Sequence, residues 1–396
     1  MDNFHDDNSF LNSIESFFNK LFNDKGKKNI FSFDQEPRGS NGRLERLPNL
    51  DLESRDDFLT GFRLWGTKKA YPAALKRFNS ILVDNGLDTK SEHTQLTDIF
   101  PLVENDPILG VTHRHRTGVH DVMHTNFDEE FKSNADIYLK EMESFDNLGP
   151  GKLELNSSIV IPEYARYEIH TQPGGYVGNP FSGHIYHYST NNFYKGLRVT
   201  NYQDEFHTKL ANQVPVPKSG NVERVLDLGC GIGQLTVALK ERFNNSEVWG
   251  VDIAAPMIRY GHMRAVDLGV NVNFSQRLAE DTEFEDDSFD IVTSYILHHE
   301  LPEEISIKVT QEAYRILKPG GIFFPIDFQT GVNSKGAITA WARYMQWKDH
   351  RWNEEVWRQE YGSFDFPKAM IESGFEIVRK GPPAWRSKYN LMGIKT

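Results

Sequence analysis

The chain has 396 residues, with 44 basic and 56 acidic side chains, a formal charge of −12 and 38% hydrophobic content. That length allows two domains or one large elaborated domain, and the acidic excess, with no offsetting Lys/Arg block, argues against broad nucleic-acid binding. The single cysteine, Cys230, excludes an internal disulfide framework or a zinc site of several thiolates; no apolar run has the length of a membrane span, and Met1-Asp-Asn-Phe-His-Asp-Asp is unlike a secretory signal, so cytoplasmic residence is expected.

Residues 22–56 are polar and rich in Gly, Pro and Asn, a composition that predicts little fixed structure. Asp57–Val83 and Val119–Glu143 carry apolar residues at helical spacing, and each predicts an amphipathic helix. Between 147 and 200, Tyr, Phe, Gly and His crowd into short runs that read as strands and loops. Phe206–Val214 reads as a helix, and Pro215-Val-Pro-Lys-Ser-Gly-Asn-Val is a turn-rich linker. Residues 1–215 are therefore expected to form a mixed helical and strand/loop region that shapes a substrate pocket or interface, and 216–396 a second domain.

Beyond the linker, predicted strands at 223–228, 247–252, 271–275, 288–294 and 321–327 alternate with helices at 232–243, 256–267 and 304–317. Such alternation is the signature of an α/β fold. Lys335–Trp357 reads as an aromatic-rich helix, within a lid insertion expected at about 332–362. A short helix at Phe366–Ser373 ends at Gly374. The two late runs, Phe375-Glu-Ile-Val-Arg and Tyr389–Lys395, read as an antiparallel pair at a sheet edge.

The chemistry concentrates at Val225-Leu-Asp-Leu-Gly-Cys-Gly-Ile-Gly233. An apolar strand, a glycine turn and a helix starting at Gln234 make a cradle where backbone approaches a ligand. Asp252 ends the next strand, 23 residues after Gly229, where a carboxylate can accept from both hydroxyls of a ribose. Ala279-Glu-Asp281 follows the third strand and suits an adenine edge. Phe289–His299 brings the fourth strand to the same rim. A dinucleotide site would need Gly-x-Gly-x-x-Gly, but Gln234 breaks that spacing, and Asp227 would repel a pyrophosphate. A P-loop is excluded because no Gly-Lys-Ser/Thr ends the turn.

These segments, with the Asp287–Val292 strand and Leu317-Lys-Pro-Gly-Gly321, resemble the class I S-adenosylmethionine-dependent methyltransferases over roughly 218–330. More narrowly, they resemble the branch of ubiquinone/menaquinone-type and small-molecule methyltransferases. The resemblance implies a Rossmann-like domain with a seven-stranded, mostly parallel sheet, preceded here by a large mixed N-terminal region. It implies that Asp227, Gly229, Cys230, Gly231 and Gly233 hold the methionine part of S-adenosyl-L-methionine, and that Asp252 holds the ribose. Ile253 and Met257 would lie against the adenine, with Glu280 and Asp281 at its edge; Asp281 is the better match. Thr293, Ser294 and Tyr295 would lie near the methionine end.

His298 and His299 are the candidate general bases at the rim, with His298 preferred and Glu300 beside them as an orienting group. The histidines at 113, 115, 120, 124, 170, 184 and 187 include metal-like spacings, but no accompanying catalytic pattern, and no metal is expected. Tyr194, Tyr202, Phe206, Tyr295, Trp341 and Tyr344 are candidate substrate contacts, with interface or core packing as the alternative. The expected activity is methylation of a C, O or N atom of a small metabolite, such as an intermediate of natural-product biosynthesis. The alternatives are a protein or RNA methyltransferase and a non-catalytic cofactor-binding scaffold. A homodimer is a candidate assembly.

Overall fold

Among the described residues, eight strands join in one sheet: β1 Leu153–Glu154, β2 Arg224–Leu228, β3 Glu247–Asp252, β4 Asn273–Gln276, β5 Phe289–Tyr295, β6 Leu317–Ile326, β7 Phe375–Ile377 and β8 Gly393–Lys395. They were located in a computed structural model that describes residues 43–44, 46–91, 93–195, 202–328, 330, 339–378 and 391–396. The side chains of 193–195, 202 and 203 lie outside that description. The strand order is β1-β4-β3-β2-β5-β6-β8-β7. Pairing is parallel from β1 through β6, and β8 runs antiparallel to both β6 and β7. This is the Rossmann-like class I methyltransferase architecture, with one strand more than the seven expected. The addition is β1, a two-residue strand from the N-terminal region that pairs with β4.

Alternation along β2 explains the layering. Val225 joins Val248, Ile291 and Phe274 on one face, while Leu226 and Leu228 join Val251, Val292 and Phe323 on the other. Successive side chains of a strand point to opposite faces, and a sheet covered on both sides needs apolar residues at every position. The expected turn at Leu317-Lys-Pro-Gly-Gly321 is drawn into β6 as an irregularity. Leu317 pairs with Phe289 and Ile322 with Ile291, and Gly320 takes φ +80° within the excursion between them.

The helices are α1 Leu50–Trp65, α2 Tyr71–Asp84, α3 Leu96–Val103, α4 Pro107–Ser133, α5 Ala135–Phe145, α6 Ser182–Lys195, α7 Tyr202–Ala211, α8 Gln234–Arg242, α9 Ala255–Asp267, α10 Glu303–Ile316, α11 Ala340–Trp352, α12 Arg358–Ser363 and α13 Phe366–Glu372. The helix expected over Asp57–Val83 is two helices, α1 and α2, joined by a π-turn at Gly66–Ala70. The one expected over Val119–Glu143 spans the end of α4 and most of α5, broken at Asn134. Asp106 starts α4 by accepting from the amides of Ile108 and Leu109, and Pro107 occupies its first turn, where a missing N–H costs nothing.

The reading of 147–200 as strands and loops is corrected by α6. Phe181, Ile185 and Tyr188 pack against Phe127 and Phe131 of α4. Histidines and hydroxyls between these residues hid their helical spacing. A further core joins Phe78, Leu82, Ile99 and Leu109 to Ala340 and Tyr344, so α11 is buried against the N-terminal helices. Among the described residues no helix is long and apolar enough to cross a membrane.

Candidate active site

The strand–turn–helix at β2 and α8 sets the geometry. Gly229, Gly231 and Gly233 all have positive φ, at 62°, 53° and 72°. At Gly229 a side chain would also collide with its surroundings, since a Cβ there would lie 2.6 Å from Leu297 Cδ1. The rim that follows β5 is therefore packed directly onto the glycine loop. A cleft opens at the loop, lined by Tyr186, Asp227, Gly229, Cys230, Gly231 and Gln234 among others, and communicates with solvent.

Asp227 sits at the base of the cleft. Its Oδ2 accepts from Thr236 Oγ1 at 2.7 Å, while Oδ1 is buried with no hydrogen-bond partner. Burial, resisted by the Thr236 hydrogen bond and aided by the Asp252 charge, pushes its pKa up to about 7. Gln234 Nε2 is likewise buried without a partner. Cys230 donates its amide to Val251 O, and burial holds its thiol well above the ordinary value.

Asp252, at the end of β3, fixes the loop. Its Oδ2 accepts the Gly231 amide at 2.9 Å and its Oδ1 the Ala254 amide at 2.8 Å. One carboxylate thus ties the glycine turn to the start of α9 and retains lone pairs for further donors. Burial raises its pKa, the Ala254 and Gly231 amides oppose that, and the nearby Glu300 charge adds to it. Met257 is buried beneath the loop, with its Cε within 3.5 Å of where a Gly231 side chain would begin. Ile253 is half-buried and gives its carbonyl to Gln276 Nε2 at 3.0 Å. Glu280 is half-buried and accepts from the Tyr164 hydroxyl, whereas Asp281 is exposed.

The rim separates the two histidines. His298 turns into the core, where Nδ1 meets Ser306 Oγ at 2.7 Å and the ring packs 4.5 Å from Phe366. Its Nε2 is buried without a partner, and burial lowers its pKa to about 4. His299 meets Asp327 Oδ1 through Nδ1 at 2.7 Å, and its Nε2 stands 3.8 Å from Glu300 Oε1. Asp327 also accepts the amides of His298 and Phe328. Burial alone would raise the Asp327 pKa, but the charge and hydrogen bond of His299, with His298 and the Phe328 amide, hold it below the ordinary value.

Thr293 Oγ1 donates to Phe324 O at 2.7 Å, across the sheet. Phe206 is buried in the core behind Tyr295, and it is the next residue, His207, that lines the cleft with Tyr295. Trp341 donates to Tyr71 Oη at 2.8 Å, and Tyr344 Oη meets His113 Nε2 at 2.8 Å, so both belong to the core between α11 and the N-terminal helices. The side chains of Tyr194 and Tyr202 lie outside the described residues. Tyr186, from the aromatic run that suggests a pocket, lines the cleft, whereas His207 and Gln234 line it without a sequence expectation. Gln234 stands at the first position of α8, directly after the glycine run, which was the available signal.

The remaining histidines are largely hydrogen-bonded or packed. His187 Nδ1 meets Tyr260 Oη at 2.7 Å, and His184 packs against the same ring at 4.5 Å. His120 and His124 are buried on one face of α4, yet among the described residues no group of three or more His, Cys, Asp or Glu could hold a metal ion. His170 meets Glu300 Oε1 through Nε2 at 3.3 Å. Burial would lower its pKa, but the Glu300 hydrogen bond and the charges of Glu355, Glu300 and Asp349 raise it.

Residues 225–321 match a family model described as a methyltransferase domain. The demethylmenaquinone methyltransferase of Thermus thermophilus is 36% identical over 106 residues, which cover 27% of this chain and 47% of that enzyme, so the chain spans about half of its length. The demethylmenaquinone methyltransferase of Listeria monocytogenes is 28% identical over 169 residues, covering 39% of this chain and 70% of its own. An uncharacterized methyltransferase of Synechocystis sp. is 30% identical over 159 residues, covering 40% of this chain and 69% of its own. Likeness over that share of the Synechocystis protein, on a sheet of the class I order, places the chain in the methyltransferase family.

Proposed function

We propose that the chain is an S-adenosylmethionine-dependent methyltransferase acting on a small metabolite, within the branch that holds the ubiquinone/menaquinone-type enzymes. The observation that carries the reading is Asp252, which ties the Gly231 amide to the start of α9 beside a cleft containing the unpartnered Asp227 Oδ1. These residues fit the cofactor. Asp227 Oδ1 and Gln234 Nε2 are an acceptor and a donor suited to the ammonium and carboxylate of an amino acid. Asp252 retains lone pairs for two ribose hydroxyls, and Ile253 and Met257 would flank the adenine. Glu280, held by Tyr164, would border its edge.

Bound S-adenosylmethionine would supply an electrophilic methyl group carried on a sulfonium. The chain must orient the acceptor and take up a proton where the acceptor loses one. His299 suits that task better than His298. Asp327 occupies Nδ1 of His299 and fixes the ring, so that Nε2 can accept a proton. His298 is turned into the core between Ser306 and Phe366.

Segments from both halves of the chain fence the rim, which supports a bounded acceptor site: His170 and Tyr176 from the N-terminal region and Asn353–Glu355 after α11. Two relatives are named for demethylmenaquinone, which also supports a metabolite acceptor. Calorimetric titration with S-adenosylmethionine tests the reading. Saturable one-to-one binding is expected, and its absence would refute the proposal.

A further inference from the structure

Helix α1 is apolar on two sides. Leu52 and Leu59 point inward and share a core with Val119, Met123 and Phe127 of α4. On the outer side, Phe58, Phe62 and Trp65 are between 42% and 70% exposed. Their spacing of four and three residues aligns them on one face of the helix. The rings form a continuous row, with centroids 6.0 Å apart from Phe58 to Phe62 and 5.9 Å from Phe62 to Trp65. Single exposed hydrophobic residues are ordinary on a protein surface, whereas a contiguous row of large rings marks a place of binding.

The row continues onto α4. The His115 ring lies 4.2 Å from Phe62 and 5.4 Å from Trp65. Val111 and Val122 share the helical face of His115 and are exposed. The two helices run antiparallel, since Asn49 at the start of α1 donates to Glu130 near the end of α4. That register brings Gly61 level with Gly118, and a Cβ at either would meet no atom within 4 Å. An aromatic ridge and an aliphatic one thus flank a notch without side chains, the relief into which a further helix packs.

One stretch of the chain carries the matching pattern. Residues 9–22, Ser-Phe-Leu-Asn-Ser-Ile-Glu-Ser-Phe-Phe-Asn-Lys-Leu-Phe, lie outside the described residues. In helical projection Phe10, Ile14, Phe17 and Leu21 fall on one line, the apolar residues at 11, 18 and 22 flank it, and every remaining position is polar. This is the anchor spacing by which amphipathic helices enter apolar grooves.

The connection is long enough. Residues 23–42 join the stretch to Leu44 and Leu47, both buried, and Leu47 belongs to the core beneath α1. Extended, that connection spans up to about 66 Å, whereas the 16 residues of α1 are about 24 Å long. The tether holds the stretch at an effective concentration of about millimolar, which a second copy in dilute solution does not reach. We propose that residues 9–22 dock as an amphipathic helix on the exposed face of α1 and α4. The docked segment covers the aromatic row and keeps copies of the chain from associating through it.

Hydrogen exchange of the full chain, read by mass spectrometry on peptides covering residues 9–22, tests the docking. Their amides are expected to exchange about 10-fold or more slowly than in an unstructured chain, equally at low and high protein concentration. Phe62→Asp, which leaves the inner core untouched, should return exchange to the unstructured rate. Val111→Asp, on the other helix, should do the same, and it replaces Phe62→Asp if that variant fails to fold. Fast exchange in the wild type, or slow exchange that survives in a folded variant at either position, overturns the assignment. So does slowing that grows with protein concentration, which gives the face to a second copy. Slowing that appears only with phosphatidylglycerol vesicles overturns it as well and gives the segment to a lipid surface.

Discussion

Asp327 Oδ1 lies 2.7 Å from His299 Nδ1, and the same carboxylate accepts the backbone amides of His298 and Phe328. One side chain at the end of β6 therefore sets both the ring and the backbone of the rim after β5. Asp327→Asn keeps the shape but replaces one accepting oxygen with a donor. Methyl transfer should fall about 10²- to 10⁴-fold, the usual contribution of a positioned base, while S-adenosylmethionine affinity stays within a few-fold. Single-turnover transfer measured alongside calorimetry separates the two effects.

Asp227 gives the cofactor site a pH dependence. Its folded pKa, pushed up to about 7 by burial, lies above the ordinary carboxylate value. The unliganded fold therefore favours the protonated form. Its stability should fall as pH rises from the ordinary carboxylate range through about 7, and level off above that. An ammonium ligand needs the ionised form, so S-adenosylmethionine affinity should rise over the same interval. Asp227→Asn is expected to flatten both curves, in urea unfolding at pH values on either side of the transition and in calorimetry.

Gly229→Ala meets two obstacles at once: φ of 62° and a contact of 2.6 Å with Leu297. The strained backbone alone should cost about 1–3 kcal/mol of stability. Because Leu297 leads into the rim, the substitution should also weaken cofactor binding. Thermal unfolding with and without S-adenosylmethionine reads both, and an unchanged melting temperature would contradict the packing described.

His298→Leu separates the rim histidines. It should cost about 1–3 kcal/mol, because Ser306 Oγ, itself buried, loses its partner. Methyl transfer should persist in this variant and collapse in His299→Gln. The wild-type ring, held at about pKa 4 by burial, is protonated less readily than in the unfolded chain. It therefore makes stability decline as pH drops from about 6.5 to 4. That part of the acid sensitivity should vanish in His298→Leu.

The second half of the chain was far more legible than the first. Strands such as Val225–Leu228 and Phe289–Val292 are short apolar runs bounded by turns, and local pattern suffices for them. The glycine run marked the cleft because positive φ restricts residue choice strongly. By contrast, α6 buries Ile185 among histidines whose contacts lie far along the chain, as His187 has Tyr260. No local pattern announces that. His298 and His299 are adjacent and chemically identical, and only Ser306 and Asp327 distinguish them. Trp341 and Tyr344 had a periodicity equally suited to a lid and to a core, and Tyr71 and His113 decide for the core.

The two-residue strand β1 also bears on the order in which the molecule can be assembled. Leu153 pairs with Phe274, 121 residues later, and Tyr344 closes on His113 across 231 residues. During synthesis the N-terminal half emerges first, long before either partner exists. It must wait with an unpaired strand until β4 is made, and with an uncovered helical core until α11 follows.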